Sequence, residues 1–336
     1  MRIVVDAMGG DRAPDVVVQG ACLAARELKG EIILVGPAEL LRQKLAKAAA
    51  PSCISVVHAA EVIEMDESPA TSVRRKKDSS INVAMRMVKD GEADAFVSAG
   101  NTGAVVCSAS LFLRQLAGVD RPGISVLLPT LDGVVQVIDM GANIDAKPEH
   151  LLQYGIMGAI YSRYVLHKQT PRVGLLNIGE EESKGTEFVK ETFKLMEQCP
   201  HINFIGNVEG RDIYTGACDV IVCDGFVGNV VLKVSEGLAD AIKEMLKRKL
   251  SASLITRFGA LLSAPAFRAL KKETDYSEYG GAPLLGVDGA CIIAHGGSSA
   301  NAIKNAIRVA GEFFSNNVNR HIVEVVSATP LPSQST

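Results

Sequence analysis

Six short turns rich in Gly and Asn carry most of the residues in this sequence that could do chemistry. They are Asp6–Asp11 (DAMGGD), Ser98–Gly103 (SAGNTG), Asp139–Asn143 (DMGAN), Asn177–Gly179 (NIG), Asp224–Asn229 (DGFVGN) and His295–Ser299 (HGGSS). Each follows a β-branched run and precedes a helical pattern. That places it at the carboxyl end of a strand, where ligands bind in open α/β sheets. In the second turn, Gly100 and Gly103 let the backbone approach a ligand closely. Ser98, Asn101 and Thr102 add donors at a helix N-terminus, an arrangement that favours an anion such as phosphate. The plainer reading of any one turn is helix capping; the six together favour a shared cleft.

The amides of Asn101, Asn143, Asn177, Asn207, Asn229 and Asn301 are neutral donors, suited to a phosphate or an oxyanion. Positive charge could come from Lys184 in EEESKGTE, whose alternative is a solvated Lys beside Glu180–Glu182. Asp224 either caps a helix or orients the attacking phosphate and accepts its proton. His295, the one histidine in a strand-end turn, orients a ligand or caps. The catalytic candidates are thus Lys184, Asp224, Asn229 and Asn177. Ser98, Gly100, Asn101, Thr102 and Gly103 are the phosphate-binding candidates, and Asp6, Asn143, Asn207 and His295 line the rest of the cleft.

What is missing narrows the reaction. The sequence holds no GxGxxG, no GxxxxGK[ST], no GxSxG, no HExxH and no zinc-type Cys/His spacing. A dinucleotide fingerprint, a P-loop, a nucleophile elbow and a bound metal therefore lack support, and neither a cofactor nor a metal is expected. The seven cysteines form no CxxC pair and sit mostly in apolar runs, which reads as reduced, buried thiols.

The scaffold for these turns is legible in bulk. The chain has 336 residues, 47% of them hydrophobic, with 35 Lys+Arg against 38 Asp+Glu and 31 Gly. Such a chain is too apolar for disorder and too balanced in charge for a nucleic-acid-binding tail. With no Trp and 5% aromatic residues it offers no stacking platform for bases. Strand-like runs at Arg2–Val5, Ile32–Val35, Ile54–Val57, Ala93–Val97, Val134–Ile138, Val173–Leu176, Val220–Cys223 and Cys291–Ala294 alternate with helical patterns. The alternation predicts a three-layer α/β/α fold with a mostly parallel, doubly wound sheet, in a single domain over 1–330 with a short tail at 331–336. Met1 leads straight into the first strand and no run reaches the ~18 apolar residues of a membrane span, so a cytoplasmic protein is expected.

Two basic features stand outside this pattern. Arg74, Arg75, Lys76 and Lys77 are consecutive and would suit an acidic partner or a phosphate, or simply a solvated face. Residues 230–275 are helical without an intervening strand, which predicts a projecting helical pair with a bend near Pro265. Within it Leu254, Ile255, Phe258, Leu261 and Leu262 recur at helical spacing, flanked by Lys247, Arg248, Lys249, Arg257, Arg268, Lys271 and Lys272. That pattern fits an anionic membrane surface or a second subunit's helices.

Taken in order, DAMGGD (6–11), VRRKKDSS (73–80), SAGNTGA (98–104), DMGANIDAKPEHLLQYGIMG (139–158), GLLNIGEEESKGTE (174–187), NFIGNVEGRD (203–212), DGFVGNVVLK (224–233), YSEYGGAPLLGVDG (276–289) and AHGGSSANAIKNAI (294–307) resemble the bacterial phosphate acyltransferases of the PlsX family. The resemblance spans essentially the whole chain and is weakest over 245–270. It implies transfer of a long acyl chain from acyl-carrier protein to inorganic phosphate, giving an acyl phosphate for a membrane glycerol-3-phosphate acyltransferase. It also implies a fold similar to isocitrate/isopropylmalate dehydrogenases and phosphotransacetylases, a homodimer with projecting helices, and peripheral membrane association. For such an acidic carrier protein, the charge of Arg74, Arg75, Lys76 and Lys77 and of the basic flank of 230–275 offers the contact. Two other classes fit the residues alone: a metal- and NAD-dependent decarboxylating dehydrogenase on the related fold, and a non-catalytic carrier-protein or lipid-binding module.

Overall fold

Apolar runs too continuous for a one-sided sheet build a central sheet that is covered on both faces. The structure, a computed structural model, describes residues 1–274 and 279–329. The tail expected from 331, the Tyr276–Glu278 part of the 276–289 motif and the side chains of Lys271 and Lys272 lie outside the described residues.

The first part of the chain forms β1 (Arg2–Asp6), α1 (Asp15–Glu27), β2 (Glu31–Gly36), α2 (Ala38–Lys47), β3 (Ile54–His58), α3 (Pro69–Arg75), α4 (Ser80–Lys89), β4 (Ala95–Ser98) and α5 (Thr102–Phe112). Next come β5 (Gly123–Thr130), β6 (Gly133–Ile138), α6 (Pro148–Tyr164), β7 (Arg172–Asn177), α7 (Glu187–Glu197), β8 (Asn203–Glu209) and β9 (Val220–Val222). The last part holds α8 (Gly225–Leu250), α9 (Leu254–Leu262), α10 (Ala264–Thr274), β10 (Ala282–Leu285), β11 (Ala290–Ile293), α11 (Ala300–Ser315) and α12 (Val318–Ala328).

The strands join in the order β3-β2-β1-β4-β11-β10-β5-β6-β9-β7-β8. Pairing is parallel among β3, β2, β1, β4 and β11, and again among β6, β9, β7 and β8. Between these blocks β10 and β5 pair antiparallel with their neighbours. Three reversals in succession leave the two parallel blocks running in opposite senses. The expected strands are all present within a residue or two; β5, β8 and β10 are additional.

Alternate residues of each strand feed two apolar layers. Ile3, Val5, Leu34, Val97 and Ile292 pack under α1, α6, α7, α11 and α12. Val4, Ile33, Phe96 and Cys291 pack under α3, α4 and α5. Helix α6 is buried from His150 to Ser162, which explains an apolar pattern with almost no polar face.

Among the described residues the 230–275 excursion is three helices, two of them short. Helix α8 runs unbroken for 26 residues, roughly 39 Å. The chain turns at 251–253, where Ser253 caps α9, and again at Ser263. Pro265 sits in the first turn of α10 and makes no bend, because a proline there gives up no helical hydrogen bond. Helix α8 keeps one face on the body as far as Glu236, with Val231, Leu232, Ser235 and Glu236 half-buried, and then projects from it; Val230, Val234, Leu238, Ile242 and Met245 are exposed along it.

Candidate active site

The six turns fall into two groups, one for each sense of strand. The first is built on β1, β4 and β11. Asp6, at the end of β1, is fully buried; its Oδ2 accepts from Ser98 Oγ at 2.7 Å and its Oδ1 from Met8 N at 3.1 Å. Burial pushes this carboxyl above the ordinary range, against the pull of the Ser80 and Ser98 hydroxyls. Ser98 Oγ in turn accepts from Gly100 N at 3.0 Å. Gly9 must be glycine, since a Cβ there would lie 2.5 Å from both Gly100 N and Asp6 Oδ2. Asn101 caps α5 through Oδ1 and Ala104 N (3.0 Å), while its Nδ2 donates to the carbonyls of Glu64, Met65 and Glu67 at 3.0–3.2 Å.

Ser98 and Asn101 are therefore committed to holding the loop, contrary to the expectation that they donate to an anion. The open part of the turn is exposed Thr102 and half-exposed Gly103, whose N–H groups begin α5. Beside it the His295–Ser298 turn is pinned: Arg12 donates to the carbonyls of Gly297 (3.0 Å) and Ser298 (2.9 Å), and Asp11 N donates to Gly296 O (2.9 Å).

The second group stands on β6, β9, β7 and β8. Asp139 is buried and accepts four backbone N–H groups: Ile124, Gly141 and Ala142 at Oδ1, and Asn143 at Oδ2, over 2.7–3.1 Å. Desolvation raises its carboxyl, and these donors oppose the rise. Asn143 Nδ2 donates to Pro122 O (2.5 Å) and the buried Tyr154 hydroxyl (2.7 Å), so this amide anchors the loop and is not free for a ligand. Asp224 caps α8, accepting from Phe226 N and Val227 N at 2.9 Å. Gly225 and Gly228 let the helix lie directly on the Asp139 turn, and Asn229, exposed, stands over Gly141.

On the neighbouring strand ends Asn177 Nδ2 donates to Lys184 O (3.2 Å) and Asn207 Nδ2 to Glu181 O (3.1 Å). These two amides fold the 177–185 loop so that Lys184 stays at its exposed surface. Gly185 closes the loop at φ +88, a conformation that favours glycine.

Opposite strand senses mean that the two sets of strand ends do not line one edge, as the single shared cleft required. Helix α8 relates them. It starts on the second group, and Glu236 Oε1 lies 3.9 Å from His295 Nε2 in the first. Twelve residues separate Asp224 from Glu236, roughly 18 Å along the helix axis. Asn229 lies seven residues before Glu236, roughly 10 Å.

Of the basic run, Arg74, Arg75 and Lys77 are exposed, and Arg74 and Arg75 border a shallow concavity with Ala70 and Thr71. Lys76 is not available: its ammonium meets Glu67 Oε1 at 2.5 Å and Val62 O at 2.6 Å, tying down the loop before α3. Leu254, Ile255, Phe258, Leu261 and Leu262 are all 63–86% exposed on α9. Among the described residues no helix is long and apolar enough to cross a membrane, and no cluster of His, Cys, Asp or Glu could hold a metal ion. All seven cysteines are free thiols, five of them buried. Sequence reasoning passed over Arg12, Asp139 as a loop anchor, and Glu236. Asp139 lies inside a motif it singles out and Arg12 directly follows one; Glu236 carries no local signal.

A family profile described as "Fatty acid synthesis protein" matches residues 1–321. Phosphate acyltransferases from Desulfitobacterium hafniense (strain DSM 10664 / DCB-2) and Heliobacterium modesticaldum are each 55% identical, covering 93% and 92% of this chain and 93% of theirs. One from Geotalea uraniireducens is 52% identical over 96% of this chain and 94% of its own. Among solved structures, the EutD phosphotransacetylase of Staphylococcus aureus matches with a TM-score of 0.61 at 16% identity, over 94% of each chain. A Streptococcus pyogenes phosphotransacetylase matches with 0.62 at 18% identity, over 92% of this chain and 93% of its own. These two likenesses carry the fold. The sequence relatives carry more: the chain belongs to the fatty acid synthesis protein family, the PlsX phosphate acyltransferases, and is an acyl-transferring enzyme.

Proposed function

We propose that this chain transfers the acyl group of an acyl-carrier-protein thioester to inorganic phosphate, releasing acyl phosphate and free carrier protein. A phosphate oxygen attacks the thioester carbonyl carbon; the C–O bond forms, the C–S bond breaks, and the electron pair leaves with sulfur as a thiolate that takes a proton from solvent. A thiolate leaves without acid assistance, so the protein's task is placement and charge neutralisation. Placement alone is worth ~7–11 kcal/mol in a well-oriented reaction.

Phosphate sits at the start of α5, on the N–H groups of Thr102 and Gly103, in a loop shaped by Asp6, Ser98, Gly100 and Asn101. Asn229 and Lys184 serve the reacting centre from the second group, Lys184 by neutralising charge. Asp224 and Asn177 set the start of α8 and the fold of the Lys184 loop. The observation that carries this reading is the start of α5, where Thr102 is exposed and Gly103 half-exposed, in a chain whose relatives over nearly its whole length are phosphate acyltransferases. Arg74, Arg75 and Lys77 receive the acidic carrier protein. The exposed stripe of α8 supports a homodimer, and the apolar face of α9 supports reversible contact with a membrane, where a glycerol-3-phosphate acyltransferase would consume the product. The reading involves neither nucleic acid nor a cofactor.

The test is thiol release from acyl-carrier-protein thioester with and without inorganic phosphate. Phosphate-dependent release with one acyl phosphate formed per thiol is expected; release independent of phosphate would refute it. Lys184→Ala is expected to lower the rate at least tenfold, and a loss under twofold removes Lys184 from the centre.

A further inference from the structure

The reaction above needs a place for the acyl chain as well as for phosphate, and three exposed side chains of the second group mark one. Ile144 is 67% exposed, Phe226 60% and Ile178 82%. Apolar residues exposed singly need no explanation, but these three belong together. They follow the ends of β6, β9 and β7, which are neighbours in the sheet, and Ile138, Val222 and Leu175 stand at one level across those strands. At ordinary strand spacing the three ends cover roughly 10 Å of one edge. Among the described residues the Asp6–Asp11, Ser98–Gly103 and His295–Ser299 turns of the first group present no exposed large apolar side chain.

Each of the three is tied to the groups assigned to the reacting centre. Phe226 lies three residues before Asn229 on α8, so the two share one stretch of helix surface. Ile144 directly follows Asn143, whose carbonyl accepts from Gly225 N at 2.8 Å, which brings it beside Phe226. Ile178 directly follows Asn177, whose amide donates to Lys184 O at 3.2 Å. The Lys184 stem lies against the next residue, Gly179, where a Cβ would meet Lys184 Cγ at 3.0 Å.

An acyl chain is joined to the carbonyl carbon that phosphate attacks, so it leaves the reacting centre across whatever surrounds it. We infer that Ile144, Phe226 and Ile178 form the apolar rim on which the acyl chain of the thioester lies, and that they set a preference for long chains over short. The inference rests on the acyl-transfer reading for the identity of the chain. Each methylene buried on the rim strengthens binding about fourfold (~0.8 kcal/mol).

The test compares wild type with Ile144→Ser/Ile178→Ser/Phe226→Ser, three changes at exposed positions. In phosphate-dependent thiol release, wild type is expected to use a hexadecanoyl thioester of the carrier protein at least tenfold better in kcat/KM than a butyryl one. The triple variant is expected to lose at least tenfold with hexadecanoyl and to stay within twofold with butyryl. Phe226→Leu, which keeps an apolar surface, is expected to stay within threefold with both. Equal losses for the two chains, or no loss, overturn the assignment. A second measurement does not depend on turnover. Parinaric acid, a fluorescent long-chain fatty acid, is expected to bind the full-length protein, with its Kd raised at least fivefold in the triple variant and unchanged in Leu254→Glu/Phe258→Glu. Thiol release independent of phosphate refutes the acyl-transfer reading alone; an unchanged Kd in the triple variant overturns the rim alone. Oligomeric state by size-exclusion chromatography and co-sedimentation with anionic liposomes are expected to match wild type. A change in either overturns the proposal by assigning the three side chains to a second copy or to a membrane.

Discussion

Two glycines of the same helix make opposite predictions. At Gly228 a Cβ would lie 1.9 Å from the Asp139 carbonyl oxygen, 2.9 Å from its carbon and 3.0 Å from Cys223 Sγ. The first two are backbone atoms of a loop fixed by four hydrogen bonds to the Asp139 carboxylate, so they cannot swing aside. Ordinary van der Waals contact needs 3.4 Å or more, so Gly228→Ala must push α8 away by about 1.5 Å. Overpacking of this kind costs ~1–3 kcal/mol. The displaced helix carries Asn229 with it, and a shift above 1 Å lowers turnover by up to ~100-fold. Gly237 is the control: nothing lies within 4 Å of a Cβ there, and Gly→Ala in an open helix interior stabilises by about 0.5–1 kcal/mol. Urea unfolding of the two variants, with thiol release measured in parallel, is the assay. If Gly228→Ala proved as stable and as active as Gly237→Ala, the packing of α8 on the Asp139 turn would be wrong.

Three further outcomes follow. Burial raises the Asp6 carboxyl in the folded state, so its contribution to stability is full below the unfolded value and is lost as pH rises through the folded one. Urea titrations from pH 4 to 7 should show wild type losing stability relative to Asp6→Asn as pH rises; parallel curves would contradict the assignment. Arg74→Glu with Arg75→Glu should raise the KM for the carrier protein at least fivefold with unchanged thermal stability, whereas Lys76→Ala should lower stability, because it breaks the Glu67 and Val62 contacts. Each aliphatic side chain fully buried contributes roughly 1.5–3 kcal/mol, so Leu254→Glu/Phe258→Glu should abolish co-sedimentation with anionic liposomes; equal sedimentation would remove α9 from the membrane surface.

Most parallel strands are readable as apolar runs, usually closed by a turn with Gly or Asn; the parallel β8 and the antiparallel β5 and β10 are not. GISVLLPT runs into GVVQVI through Leu131-Asp132, with Gly133 at φ +127, so a hairpin signal was present but hidden beside a stronger strand. A proline such as Pro283 is unfavourable inside a central strand, and β10 is split between its neighbours: Ala282 and Pro283 pair with β11, Leu284 and Leu285 with β5. Missing these two strands hid the reversal between the halves, and with it the need for α8 to relate them. At the site, residue types marked the right turns but not the direction of each side chain. Asn101, Asn143 and Lys76 have the chemistry of ligand-binding groups and spend it on carbonyls and a carboxylate of the protein itself. No spacing rule distinguishes those uses.

The insertion of β11 between β4 and β10 bears on how the chain is made. The first parallel block is finished by residues 290–293, and α11, from residues 300–315, packs on α1 near the start of the chain. During synthesis β1, β2 and β4 must wait for nearly the whole remaining sequence to leave the ribosome before their sheet closes. Until then the edge of β4 is an unpaired, apolar strand, open to pairing with another chain. Such long-range closure predicts slow folding and dependence on chaperones, and a product stopped before residue 290 should aggregate rather than accumulate as a stable N-terminal domain.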